Sequence, residues 1–373
     1  MKLQIVCLLG FHALVGCSAD GGAPTQNTTP LDESRGSVEH ATTAAATKFS
    51  NLPADICSTP GTKDFNVAAG TSAMLGDEVP CDAIVSQGDG LHDICVYKFS
   101  KVTVAGFLAL QGASRPDPFS SPPPSTRAVA IVATTSFTVE GAGAIHAQGD
   151  GERNGAGAPD GSGGGGYLTG SGAGHVTEGA PGGRGGAPGA AYGPTSGAQL
   201  VGGSGGGEGH DGFDRGGEGG RGGGAVQIAS CGTLHLAGSI AASGGDGWSG
   251  GSKSGAGASG GGGGGSGGTV VVEAAEVTGS GRLSAIGGNG GLGGCVVGPG
   301  GTFDGCGPAG AGGTGARAPQ AGGPGTVTGS GYAGGDGGGG GSIGRVVINV
   351  AASCGGTPAI TSDPPATIGT LPN

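Results

Sequence analysis

"AVQIASCGTLHLAGSIAASGGDG", residues 225–247, sets short runs of alternating apolar residues between small polar corners and ends in glycine. Aligned on that glycine exit, other stretches keep its spacing: "AVAIVATTSFTVEGAGAIHAQGDG" (128–151), "TVVVEAAEVTGSGRLSAIGGNG" (269–290) and, in part, "RVVINVAASCGG" (345–356). Each full copy reads as three short strands separated by glycine or polar corners. The first strand alternates as Val129 and Ile131, Val226 and Ile228, Val270 and Val272, then Val346 and Ile348. The second supplies Phe137 and Val139, then Leu234 and Leu236; the third supplies Ile145, Ile240 and Leu283. A two-residue period turns these residues to one face and turns Gln227 and His235 outward. "ICVYKFSKVTVAGFLALQG" (94–112) reads as a less regular turn leading in.

One such turn cannot bury its apolar face alone, but turns stacked at about 4.8 Å place like on like. The expected fold is therefore all-β, a parallel β-helix (β-solenoid) of short coils. A β-sandwich with long loops fits less well, because tight Asn-Gly hairpin signals do not separate the strands.

The interruptions between copies, 152–224, 248–268 and 291–344, carry most of the 98 glycines among 373 residues. Collagen is excluded, since no strict three-residue glycine period runs through them. Two states remain open. The insertions are either disordered or packed as polyglycine II, a left-handed form with three residues per turn in which the missing Cβ lets backbones approach and bond laterally. Runs such as "GAPGGRGGAPGAAYG" suit the second state, and glycine's ordering entropy favours the first.

Charged residues are 12% of the chain, and a formal charge of −11 with basic residues scattered singly argues against nucleic acid as a partner. Aromatic residues are 4%. A folded body must then rely on small side chains and backbone hydrogen bonds.

The N-terminus "MKLQIVCLLGFHALVGCSADGG" has one lysine and an apolar stretch, Leu3 to Val15, too short to span a bilayer. It reads as an export signal over 1–16. Leu14-Val15-Gly16-Cys17 resembles the lipobox of bacterial lipoproteins. That resemblance implies cleavage before Cys17, acylation of Cys17 and a membrane partner reached through the lipid. Ser18 after the cysteine is similar to lipoproteins sorted to the outer membrane of Gram-negative bacteria. Two or three acyl chains anchor stably where one is marginal.

Residues 17–50 read as a flexible Ser/Thr/Pro/Gly tether, 51–112 as a cysteine-containing β region, 113–356 as the glycine-rich solenoid and 357–373 as a Pro/Thr-rich tail. Beyond Cys7 and Cys17 the chain holds Cys57, Cys81, Cys95, Cys231, Cys295, Cys306 and Cys354. An odd number leaves one thiol over. The candidate disulfides are Cys295 with Cys306 and Cys81 with Cys95, in keeping with export. Cys231 and Cys354 share "ASCG" and read as equivalent corners rather than as partners. Ligand spacing for zinc is missing, and no metal or other cofactor is expected.

"GGSGG" at 202–206 and 264–268 matches a nucleophile elbow only by composition. The acidic residues Asp150, Glu152, Asp160, Glu208, Asp211, Asp214 and Glu218 are irregularly spaced and read as solvating charge. His146, His210 and His235 are isolated, the first and last facing solvent. No catalytic residue is assigned.

The whole resembles glycine-rich surface lipoproteins of Gram-negative bacteria with β-solenoid coils, and its insertions resemble PGRS-type Gly-Gly-X domains. The expected role is a structural or adhesive, non-enzymatic one at the outer membrane or cell surface, with surface polysaccharide or another surface protein as partner. The alternative is a polysaccharide-binding or polysaccharide-cleaving β-helix, for which Tyr167, Tyr192, Phe213, Trp248 and Tyr332 are the aromatic residues free to stack on sugars.

Overall fold

The structure, a computed structural model, describes residues 48–76, 79–87, 93–114, 127–147, 153–155, 165–166, 169–183, 186–193, 199–210, 216–251, 253–254, 258–297, 303–304, 306–310, 318–325, 334–351 and 359–372. All regular structure in these residues is β. Cys17, the segment read as an export signal, most of that read as a tether, and Cys354 lie outside them.

Of the four sheets in the described residues, two large ones carry the body, and the chain passes from one to the other and back; the others have two and three strands. The larger, eight-stranded sheet runs in the order Phe65–Val67, Ile94–Val104, Ala128–Val139, Ala225–Leu236, Thr269–Thr278, Arg345–Val350 and Thr367–Thr370, with Ala83–Val85 beside Ile94–Val104. The smaller, seven-stranded sheet runs Ser72–Gly76, Phe107–Ser114, Ala144–His146, Ser239–Ala241, Arg282–Ser284 and Thr361–Asp363, with Arg153–Gly155 beside Phe107–Ser114. Every neighbouring pair along both orders is parallel; Ala83–Val85 and Arg153–Gly155 are antiparallel additions. This arrangement is compatible with a β-solenoid. Thr361–Asp363 and Thr367–Thr370, from the segment read as a tail, extend one sheet each.

Register follows the alternation. Ile131 pairs with Ile228, Ile228 with Val272, and Val272 with Ile348. These side chains, together with Phe137, Leu234, Val277, Ile145, Ile240 and Leu283, fill one apolar core. The expected first and second strands are a single 12-residue strand in Ala225–Leu236, broken only by an irregular register between Ser230 and Thr233. The third strand is short and lies in the smaller sheet.

Gln227 corrects the expectation of an outward, solvated side chain: it is fully buried. Residues 48–58 cross the outer face of the larger sheet as a strap. Phe49 and Leu52 pack there with Ala128, Val132, Ala225, Val271 and Val347 in a second apolar cluster. A parallel sheet covered on both faces carries apolar residues at successive positions, as "AVAIVA" and "TVVV" do, so the two-residue rule fails over this half of the strand. His235, beyond the strap, is exposed as expected, and His146 is half-buried. A disulfide joins the strap to the strand irregularity, Cys57 to Cys231, across 174 residues. Cys81 is bonded to Cys95 and Cys295 to Cys306.

The described glycine segments form a third region, bound by backbone hydrogen bonds that recur every third residue. Gly217, Gly220 and Gly223 donate to Gly260, Gly263 and Ser266; Gly262, Gly265 and Gly268 donate to Trp248, Gly245 and Ala242. Residues 258–268 stand at the centre. They donate to 336–342, 242–248 and 204–207, and accept from 217–223, 170–173 and 288–294. A chain that turns once in three residues presents N–H and C=O groups in successive directions around its axis, so six neighbours can saturate it. The approach is possible because no Cβ intervenes. A methyl group built on Gly263 would meet the Ser171 carbonyl oxygen at 2.0 Å, and one on Gly265 would meet that of Arg221 at 1.9 Å.

Candidate functional site

The outward face of the smaller sheet is set by its register. Leu108, Ile145, Ile240 and Leu283 point into the core and are fully buried. Their neighbours on either side therefore point out. One outward row runs Phe107, Ala144, Ser239, Arg282, Thr361; the next runs Ala109, His146, Ala241, Ser284, Asp363. Phe107 is 41% exposed and meets His146 edge to face, ring centroids 4.7 Å apart. Desolvation lowers the pKa of His146, which leaves the ring neutral at pH 7.

Where this face meets the glycine region, two successive chain passages enclose a groove of about 470 Å³. Ser239, Ser243 and Asp246 come from one passage, Arg282, Ser284 and Asn289 from the next, over a floor that includes Ile286 and glycine backbone. The serines Ser243 and Ser284 share a hydrogen bond, Oγ to Oγ at 3.1 Å. The Asn289 amide donates to Asp246 Oδ1 at 2.6 Å and fixes the carboxylate at the rim. Arg282 is exposed. Small residues on adjacent rungs open the groove, and the glycine segment leaving each rung walls it.

A second polar group is closed. Glu273 is fully buried under the strap, where Gln227 Nε2 donates at 2.6 Å, Asn349 Nδ2 at 2.7 Å and the Ser50 amide at 3.0 Å, with the Ser50 hydroxyl also in contact. Four donors compensate the buried carboxylate, which makes it a clasp for the strap. No open face reaches it.

His175 is a third. It is fully buried beside Tyr192, ring centroids 5.4 Å apart, and neither ring nitrogen has a hydrogen-bond partner. Burial lowers its pKa to about 4; the Val201 backbone opposes this, and Arg345 adds a smaller lowering. Burial likewise raises the Tyr192 hydroxyl, which donates to the Gly202 carbonyl at 2.6 Å. This histidine is a neutral packing element at pH 7.

The residues singled out in the sequence are mostly dispersed. Glu208 and His210 are exposed and Glu218 is half-buried, while Asp150, Glu152, Asp160, Asp211 and Asp214 lie outside the described residues. Among the described residues no three His, Cys, Asp or Glu side chains gather as a metal site, and no helix is long and apolar enough to cross a membrane. Trp248 is 58% exposed and Tyr192 38%; Tyr167, Phe213 and Tyr332 lie outside the described residues. The groove itself has no sequence motif. Serine, arginine and asparagine in glycine-rich sequence carry no local signal, and only the register of adjacent rungs brings them together.

No family model, no curated protein and no solved structure matches the chain.

Proposed function

We propose that this chain is a lipid-anchored bacterial cell-surface protein with a structural or adhesive, non-catalytic role, held at the outer membrane through acylated Cys17. In this reading the two parallel sheets are coils of a β-helix, and the glycine insertions are polyglycine II packed against it. The single observation that carries the reading is the closed hydrogen bonding of residues 258–268 to six neighbouring segments. Each bond contributes only about 0.5–1.5 kcal/mol net, yet together they tie distant insertions into one body. A body locked in this way suits bearing load or presenting a surface rather than moving through a catalytic cycle. The three disulfides support an oxidising, exported setting.

The test follows the anchor and the chemistry together. Cys17→Ser releases the protein from membranes and abolishes acyl labelling, because the lipid is the holding group. The intact protein leaves a panel of surface glycans uncleaved. A variant that stays labelled and membrane-bound overturns the anchor, and cleavage products overturn the non-catalytic role.

A further inference from the structure

From the outward face of the smaller sheet, we infer a binding site for an acidic polysaccharide, a polymer of sugars carrying carboxylate groups, centred on Arg282 and extending to Phe107. The inference rests on the surface-protein reading and names what the surface would hold.

Shape comes first. Phe107, Ala144, Ser239 and Arg282 occupy corresponding positions on four consecutive strands, so the row is about three strand spacings, or ~14 Å, long. Ala144 is the only side chain between the aromatic end and the serine, which keeps the row low. The second row is low at Ala109 and Ser284, with the His146 ring and the buried Ala241 between them. A shallow track of this length fits an extended polymer rather than a compact ligand.

Chemistry at the two ends differs. At one end the exposed Phe107 ring, held edge to face by His146, offers an apolar surface for the C–H face of a sugar. At the other the groove beside Arg282 is lined by Ser239, Ser243, Ser284, Asn289 and Asp246, with the Ser243 and Ser284 hydroxyls bonded to each other. Hydroxyls and amides both donate and accept, which matches a ligand rich in hydroxyl groups. Asp246, oriented by the Asn289 amide through one oxygen, keeps the other oxygen to accept from a sugar hydroxyl. The guanidinium of Arg282 matches a carboxylate in bidentate geometry, which no other residue of the groove can do. Arg282 is the cation lining the groove, beside the carboxylate of Asp246, so it is the point at which a sugar carboxylate is received, with sugar hydroxyls turned to Asp246.

The test is binding of the full chain, in detergent, to polygalacturonate and to neutral dextran. Wild type binds polygalacturonate at least tenfold more tightly than dextran, and raising the salt concentration narrows the gap. Arg282→Gln, at an exposed position, lowers polygalacturonate binding at least tenfold, narrows the preference over dextran and leaves thermal stability unchanged. Ser284→Tyr, which fills the groove, weakens binding of both polymers. Equal binding of polygalacturonate by wild type and Arg282→Gln overturns the inference, as does no binding by wild type. Those results leave the anchor and the non-catalytic role standing. Cleavage of bound polygalacturonate instead overturns the non-catalytic role and leaves the site in place.

Discussion

Gln227 Nε2 donates to Glu273 Oε2 at 2.6 Å, two fully buried side chains from adjacent strands lying under the strap that carries Ser50 and Asn51. Gln227 sits between the strap and the carboxylate, since its own Oε1 accepts from Asn51 Nδ2 at 3.3 Å. Gln227→Ala removes one donor from a buried carboxylate and should cost about 1–3 kcal/mol. Thr233→Ala, exposed on the same strand, should stay within about 0.5 kcal/mol. Denaturant midpoints of the two variants measure the difference, and equal midpoints would mean that the strap does not close over Gln227.

Gly263→Ala tests the glycine region. The new methyl group would stand 2.0 Å from the Ser171 carbonyl oxygen and 2.3 Å from its carbon, both backbone atoms that cannot move aside alone. The expected cost is about 3 kcal/mol or more, at the upper end of overpacking. Gly141→Ala is the control, because a methyl group there meets nothing within 4 Å. It should be neutral or stabilise by about 0.5 kcal/mol through the unfolded chain. Thermal unfolding of both variants decides the matter: similar midpoints would show that close approach does not hold these segments.

His175 ties stability to pH. Its pKa is lowered to about 4 in the fold against 6.5 for the unfolded chain, so between those values the unfolded state binds more protons. Stability from this group is complete above pH 6.5, falls as pH drops from 6.5 towards 4, and levels off below. The full loss is about 3 kcal/mol. His175→Phe, which cannot take a proton, should flatten the stability profile over that window. Profiles of equal slope for wild type and variant would place the histidine in contact with water.

Replacing Cys57 and Cys231 together by alanine opens a link across 174 residues, whereas the Cys295–Cys306 link spans 11. Loop-closure entropy gives about 5 kcal/mol for the first and about 3 kcal/mol for the second. The Cys57 and Cys231 variant should also expose the strap, so proteolysis under native conditions should cut near residues 48–60 first. Unchanged cleavage there would show that the Glu273 hydrogen bonds and the packing of Phe49 and Leu52 hold the strap without the disulfide.

Two-residue alternation at Val226, Ile228, Leu234 and Leu236, repeated at Val270 and Val272, was enough by itself to determine strands, their inward face and the pairing of Ile228 with Ile131 on one side and Val272 on the other. Those features are local, and a buried face of period two admits one register. The burial of Gln227 and Glu273 was decided by tertiary structure, because the residues that cover them, Phe49 to Leu52, are more than 170 positions away. The run "AVAIVA" carried a trace of this second covered face, but an apolar run does not say what lies over it. Ordering of the glycine insertions was likewise beyond local reading. Segment 258–268 is glycine except at Ala258, Ser259 and Ser266, so few side chains bias it and it pays a large backbone entropy; it is extended and hydrogen-bonded only where six partners from distant parts of the chain surround it.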